Sequence, residues 1–364
     1  MNVLMCEYLD VNTVFQVGSH YYAKNFQQDK YDVNWINQPT PYLFKRNIEF
    51  EEVSSGYKVF NPKVIMPFCK YPPFNTKFWA NNYLNEFSRT FNKRLDVNQT
   101  DILWMTNVKM LKLADTIKHN FMIHRMADDF SGFSGAYKNM IYLQNEVIKK
   151  SDLVLVSAKN LIDKANKFNK NVIYLPNGVD TSRFENIEYS LPKEYSNING
   201  PKVIYVGALE DWFDYSLILN SAITLKEVSF ILIGNVSETA KNMFKEQENI
   251  FLLGKKAHDE LPNYLYYADI GIMPFIENKL THSIHPLKVY EYFAAGLPVV
   301  SRELEEVKEM NSPALLYKNE EEFVSLIKEL LVTSKRTEVY KEYASNNTWE
   351  KRYIQLKEYM SEIR

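Results

Sequence analysis

Short apolar runs alternate with stretches of helical periodicity along nearly the whole chain, and they do so in two successive sets. In the first half the runs are 3–8 (VLMCEY), 102–105 (ILWM), 121–126 (FMIHRM), 153–157 (LVLVS) and 172–175 (VIYL). Helices are expected between them at 19–28, 76–92, 109–118, 138–149 and 158–168. In the second half the runs are cleaner: 202–206 (KVIYV), 229–233 (SFILI), 250–253 (IFLL), 270–273 (IGIM), 298–301 (PVVS) and 314–317 (ALLY). The helices expected there are 214–222, 237–246, 260–267, 286–295 and 320–332. Alternation at this spacing implies a parallel sheet covered on both faces, because each crossover lays a helix on the sheet. A single core stops growing at roughly 250–300 residues, so a chain of 364 is expected to form two domains.

The expected fold class is therefore α/β, with two Rossmann-like domains facing each other across a cleft. The boundaries expected are 1–185 for the first domain, 186–201 for a polar linker rich in Pro and Gly, and 202–345 for the second domain. Residues 346–364 read as an amphipathic terminal helix. Ligands of such sheets bind beyond the carboxyl ends of the strands. No G-x-G-x-x-G fingerprint is present, which argues against a dinucleotide dehydrogenase.

Charge and cysteine content narrow the class further. The first 185 residues hold 23 Lys and Arg against 18 Asp and Glu, and the remainder hold 20 against 27, so the halves carry +5 and −7. Such asymmetry suggests a different partner for each half. Two cysteines, Cys6 and Cys69, cannot make a disulfide framework, so a cytoplasmic location is expected. No apolar run is long enough to span a bilayer, and the start has neither the basic region nor the apolar stretch of a signal peptide.

The segment HPLKVYEYFAAGLPVV (285–300) carries the sharpest chemical signal. It reads as a short helix stopped at Gly296 and followed by a buried strand. Lys288 and Glu291 stand three apart, on one helix face. A cation near a helix start suits a diphosphate, and a carboxylate suits ribose hydroxyls, so the pair fits a sugar nucleotide. Asp128 and Asp129 follow the run FMIHRM at its carboxyl end, where neighbouring side chains point to opposite sides. His20, after Gly18 and Ser19, lies near a helix start following the first strand, where amides can meet a phosphate or a sugar hydroxyl. His282 and His285 stand three apart, without the further ligands a zinc site needs, so no metal is expected.

Several of these segments together resemble the glycosyltransferases of GT-B architecture. They are YLPNGVDTSRF (174–184), KVIYVGALEDWFDYSLI (202–218), NIFLLGKKAHDELPNYLYYADIGIMPF (249–275) and the PLKVYEYFAAGLPVV helix and strand. VGSHYYAKNF (17–26) and MADDFSGF (126–133) resemble motifs of the branch that holds the teichuronic-acid and xanthan glucuronosyltransferase-like enzymes. The resemblance implies a donor site of Gly207, Lys255, Lys256, His285, Lys288, Tyr290 and Glu291, with Gly18 and Ser19 on an acceptor or phosphate loop. It implies a final helix crossing back onto the first domain. It also implies that no metal or other cofactor is needed, the UDP-sugar being the substrate. Retaining members carry a glutamate eight residues before the one matching Glu291, but this chain has Ser283 there, and the loop after Gly207 is acidic at Glu210 and Asp211. An inverting transfer is expected, with Asp128 as base, Asp129 supporting it and His20 as the rival. A retaining transferase, a sugar-nucleotide epimerase and a non-catalytic binding subunit stand as alternatives.

The expected partners are a nucleotide-sugar and a glycan or lipid-linked acceptor, with no nucleic acid. Residues 57–94 hold seven Lys and Arg, one acid and ten aromatics, a mixture suited to an anionic membrane surface, so peripheral attachment is expected there.

Overall fold

In the computed structural model the described residues are 1–13, 16–41, 51–52, 56–64, 74–83, 99–132, 138–185, 188–278, 281, 285–333 and 337–363. The chain divides into one unit of Met1–Pro176 with Tyr353–Arg364 and a second of Asn177–Arg352. Each is an α/β unit built on a parallel sheet.

The sheet of the second unit runs, from edge to edge, Ile250–Gly254, Ser229–Ile233, Lys202–Val206, Ile270–Met273, Val299–Arg302 and Leu315–Tyr317. In chain order that is 3-2-1-4-5-6, all parallel. Strand Ser229–Ile233 is buried at every residue, which is why these runs are continuously apolar and do not alternate. The strand order reverses at Lys202–Val206, so the ligand-binding edge lies where that strand gives way to Gly207.

The first unit repeats this arrangement. Its sheet runs Val172–Tyr174, Leu153–Val156, Lys118–Met126, Gln99–Met105, Asn2–Cys6, Asp32–Ile36 and Lys58–Phe60, all parallel, with the two-residue strand Glu51–Glu52 antiparallel at the edge. The order reverses between Asn2–Cys6 and Gln99–Met105. Strand Asp32–Ile36 was not among the expected runs because Asn34 interrupts it. That asparagine is buried between two parallel neighbours.

Three further expectations shift. The helix expected at 76–92 is seen as Lys77–Asn82, capped by Thr76, whose hydroxyl accepts from the Trp79 amide at 3.2 Å, and residues 84–98 lie outside the described residues. The helix expected at 109–118 shrinks to Lys112–Thr116, because the next strand begins at Lys118. Of the stretch 186–201, expected as a linker, the described residues 188–201 belong to the second unit. Tyr195 is buried there and donates its hydroxyl to the Tyr264 carbonyl at 3.1 Å.

The unit boundary falls at Pro176, ahead of the expected 185. Gly178 explains the local sequence, since a Cβ on it would overlap the backbone of Thr348 and Trp349. The last helix, Trp349–Ile363, starts in the second unit and belongs to the first from Tyr353 onward. There Tyr353 stacks edge-on against Phe26, with centroids 5.0 Å apart, and donates to Asp29 at 3.1 Å. Lys357 pairs with the same carboxylate at 2.7 Å. No helix among the described residues is long and apolar enough to cross a membrane.

Candidate functional site

The helix Leu287–Ala294 buries Val289, Tyr290, Tyr292, Phe293 and Ala294. Tyr292 fixes it to the sheet: its hydroxyl accepts from the Val206 amide at 2.9 Å, and its ring lies where any side chain on Gly271 would sit. With that side committed, Lys288 and Glu291 are left half-buried on the other. Lys288 lies over Gly207, where an added Cβ would overlap both the lysine Cε and the Tyr205 hydroxyl. Gly234 lies against the Gly207 carbonyl in the same way, so two glycines bring two strand ends together beneath one ammonium. Burial pulls the Lys288 amine below its ordinary value, opposed by Glu291. Burial pushes the Glu291 carboxyl up, but the cationic Lys288 and Arg183 help to hold it below the ordinary carboxylate value.

Arg183 and His258 reach Glu291 from outside the helix. Arg183 lies on the 3₁₀ turn Thr181–Phe184. Its Nη1 is 2.8 Å from His258 Nε2 and 3.9 Å from Glu291 Oε1, and its Nη2 donates to the His258 carbonyl. His258 Nε2 is itself 3.9 Å from Glu291 Oε1.

Other expected donor residues divide. His285 is buried and stacks on Tyr290, whose hydroxyl is 3.3 Å from the His285 Nε2. Tyr290 also stacks on Tyr343 and belongs to the core of the second unit. Lys256 is held by Glu194 and sits over the Tyr264 ring, so its charge is already matched. Lys255, Glu210 and Asp211 are exposed. His282 and Ser283 lie outside the described residues.

In the first unit the two aspartates differ sharply. Asp129 pairs with Lys164 and accepts from the Ser131 amide at 2.7 Å. Partial burial pushes its carboxyl up, but Lys164 and Ser131 hold it below the ordinary value. Asp128 is an exposed residue, and its carbonyl is fixed by Gln144 Nε2 at 2.9 Å. The surrounding protein nevertheless crowds that carboxyl and raises it above the ordinary value, against the pull of Arg125. Gln144 in turn accepts from Lys164 at 2.8 Å, so one network positions Asp128 and neutralises Asp129.

His20 has little freedom to act as a base. Its Nδ1 accepts from the Val17 amide at 3.2 Å, which leaves the proton on Nε2 to donate to the Asp10 carbonyl at 3.3 Å. Burial, including the tilted Trp35 ring with its centroid 4.7 Å away, lowers its basicity. Gly18 and Ser19 are both buried, with Ser19 Oγ 3.5 Å from Thr106 Oγ1.

Glu7 was not among the expected residues. It follows the first strand at the point where the sheet order reverses, and is 2% exposed. Thr106 donates to its Oε1 at 2.9 Å. Burial raises its carboxyl from 4.5 to about 7, with Thr106, Ser19, Arg125 and Trp104 pulling the other way. A folded value above the unfolded one means that the native state holds a proton the unfolded chain releases. Stability therefore falls as pH rises from about 4.5 to about 7. Glu7→Gln is expected to flatten that slope in urea unfolding measured across these pH values. An unchanged slope would show that Glu7 does not titrate there.

Residues 200–333 match the family model described as glycosyl transferases group 1. The chain carries a glycosyltransferase group 1 domain. Over 311 residues it is 22% identical to TuaH of Bacillus subtilis (strain 168), described as a teichuronic acid biosynthesis glycosyltransferase, covering 79% of this chain and 76% of the relative. Its GT-B fold is shared with sucrose-phosphate synthase from Thermosynechococcus elongatus, at a TM-score of 0.76 and 12% identity over 100% of this chain and 98% of that one. Anabaena HepE, solved with UDP and glucose, aligns at a TM-score of 0.70 and 12% identity over 99% of each chain.

Two residues of this glycosyltransferase that face Glu291, Arg183 and His258, escaped reading from spacing alone. They lie 108 and 33 positions before it, and nothing local distinguishes them from solvated side chains. The signal that held was the i, i+3 pair, because both its members stand on one helix.

Proposed function

We propose that this glycosyltransferase moves a sugar from a UDP-sugar to a hydroxyl of a glycan or lipid-linked saccharide, with inversion at the anomeric carbon. The observation that carries the donor reading is Lys288 laid over Gly207 at the carboxyl end of the strand where the sheet order reverses, one turn from Glu291. Lys288 and the helix start meet the diphosphate, and Glu291 accepts from the ribose hydroxyls. HepE, a fold neighbour, was solved with UDP-glucose, which supports uridine as the base.

Asp128 is the proposed base. Its carboxylate takes the acceptor hydroxyl proton as that oxygen bonds to the anomeric carbon, and the bond from that carbon to the diphosphate oxygen breaks with its electron pair leaving on UDP. The charge on the leaving group is met by Lys288, so the step as proposed needs no metal. The exposed position of Asp128 and its raised carboxyl, beside the neutralised Asp129, support this choice.

The test incubates the full chain with UDP-hexoses and UDP-glycuronic acids in the presence of a lipid-linked saccharide fraction. Acceptor-dependent UDP release and a product whose anomeric configuration, read by NMR, is opposite to the donor's are expected. Retained configuration would overturn the inverting step, and UDP release indifferent to acceptor would overturn transfer.

A further inference from the structure

We propose that Arg183 is a positioning residue for Glu291, and that it thereby sets the preference of the site for a nucleotide with an intact ribose diol. The inference rests on the donor-site reading above. A carboxylate that must accept from two adjacent hydroxyls has to be held in one orientation, since each free torsion lowers the fraction of molecules ready to bind. On its own helix Glu291 has only Lys288 as a charged neighbour, and Lys288 is turned over Gly207. The orienting contacts come from elsewhere in the second unit.

The geometry is that of a brace. Two guanidinium nitrogens of Arg183 engage one residue: Nη1 stands 2.8 Å from His258 Nε2 and Nη2 donates to the His258 carbonyl. Arginine donates and cannot accept, so at that distance His258 Nε2 is the acceptor, and the ring carries its proton on Nδ1. The fork locks the guanidinium against the imidazole and holds Arg183 Nη1 at 3.9 Å from Glu291 Oε1, so the charge that faces the carboxylate is the arginine's, His258 serving to fix its plane. The guanidinium contact is made to Oε1. The side chains of Arg183, His258 and Glu291 are 16%, 19% and 28% exposed, so solvent screens this cluster only in part. A lysine at 183 would keep the charge and lose the fork, because one ammonium cannot serve the ring nitrogen and the carbonyl in the same plane.

The test measures binding of UDP, 2′-deoxy-UDP and 3′-deoxy-UDP to the full chain by calorimetry, with GDP and 2′-deoxy-GDP run alongside. The wild-type chain is expected to bind the ribose form about 10- to 100-fold more tightly than a deoxy form. Arg183→Gln is expected to weaken the ribose form about tenfold and leave the deoxy forms within about twofold, so that the discrimination collapses. Arg183→Lys should fail to restore it, which separates orientation from charge. Circular dichroism and thermal melting check that each variant is folded. Equal weakening of ribose and deoxy forms, or rescue by lysine, would overturn the positioning role. Glu291→Gln serves as the reference. If it loses the discrimination and Arg183→Gln keeps it, only the role of Arg183 falls. If Glu291→Gln keeps it too, or if none of these nucleotides binds, the donor-site reading falls and takes this inference with it.

Discussion

Asp128→Asn is expected to lower kcat by about 10²- to 10⁴-fold while leaving UDP affinity unchanged, the range lost when a positioned general base is removed. Asparagine keeps the shape and cannot accept the proton. The adjacent change should behave differently. Asp129→Asn breaks the pair with Lys164 and weakens the bond from the Ser131 amide, which costs about 1.5–3 kcal/mol of stability if it follows other hydrogen bonds to charged groups. Its effect on kcat should be smaller and should come through the Lys164–Gln144–Asp128 chain of contacts. The pH dependence gives a second check. The base must be ionised, so activity should fall as pH drops through the Asp128 value, and that limb should lie above the ordinary aspartate range because the carboxyl is raised. Steady-state kinetics on the two variants separates the roles. A full-rate Asp128→Asn enzyme would falsify the assignment outright.

The two sheets were legible because a parallel strand covered on both faces has nowhere to put a polar side chain. Ser229–Ile233 and Ile270–Met273 fall within apolar runs that could be little else. Legibility failed where burial tolerated polarity. Asp32–Ile36 hides Asn34, and Lys118–Met126 begins with the polar residues Lys118, His119 and Asn120. It failed again at 186–201, where the composition of a linker conceals Tyr195, a core residue of the second unit. The site shows the same division. Lys288 and Glu291 could be read because helical spacing makes them neighbours. Arg183, His258 and Glu7 could not, because each gains its meaning from a partner set by the tertiary fold. A glutamate after a strand reads as solvated, and only the enclosing Thr106, Ser19 and Trp104 make Glu7 a buried acid.

Lys288→Gln is expected to reduce kcat by about 10²- to 10³-fold, the loss of about 2.7–4 kcal/mol that follows removal of one fixed group facing developing negative charge. The effect should be this large because of where the ammonium sits. Burial already disfavours its charge and Glu291 only partly compensates, so an arriving diphosphate supplies the counter-charge that the free protein lacks. Lys288→Arg should not restore the rate: the lysine stem rests against Gly207 with no room even for a Cβ there, and the planar guanidinium is bulkier than the ammonium it replaces. Gly207→Ala probes the same contact from the other side. The new methyl must displace either the Lys288 stem or the Tyr205 hydroxyl, which donates to the Ala208 carbonyl at 3.0 Å. If the lysine yields, Gly207→Ala reproduces most of the kcat loss with the ammonium still present, which makes its placement, as well as its charge, the quantity that matters. Single-turnover rates for the three variants decide between these cases. A normal rate in Lys288→Gln would mean that the leaving diphosphate is stabilised elsewhere in the protein.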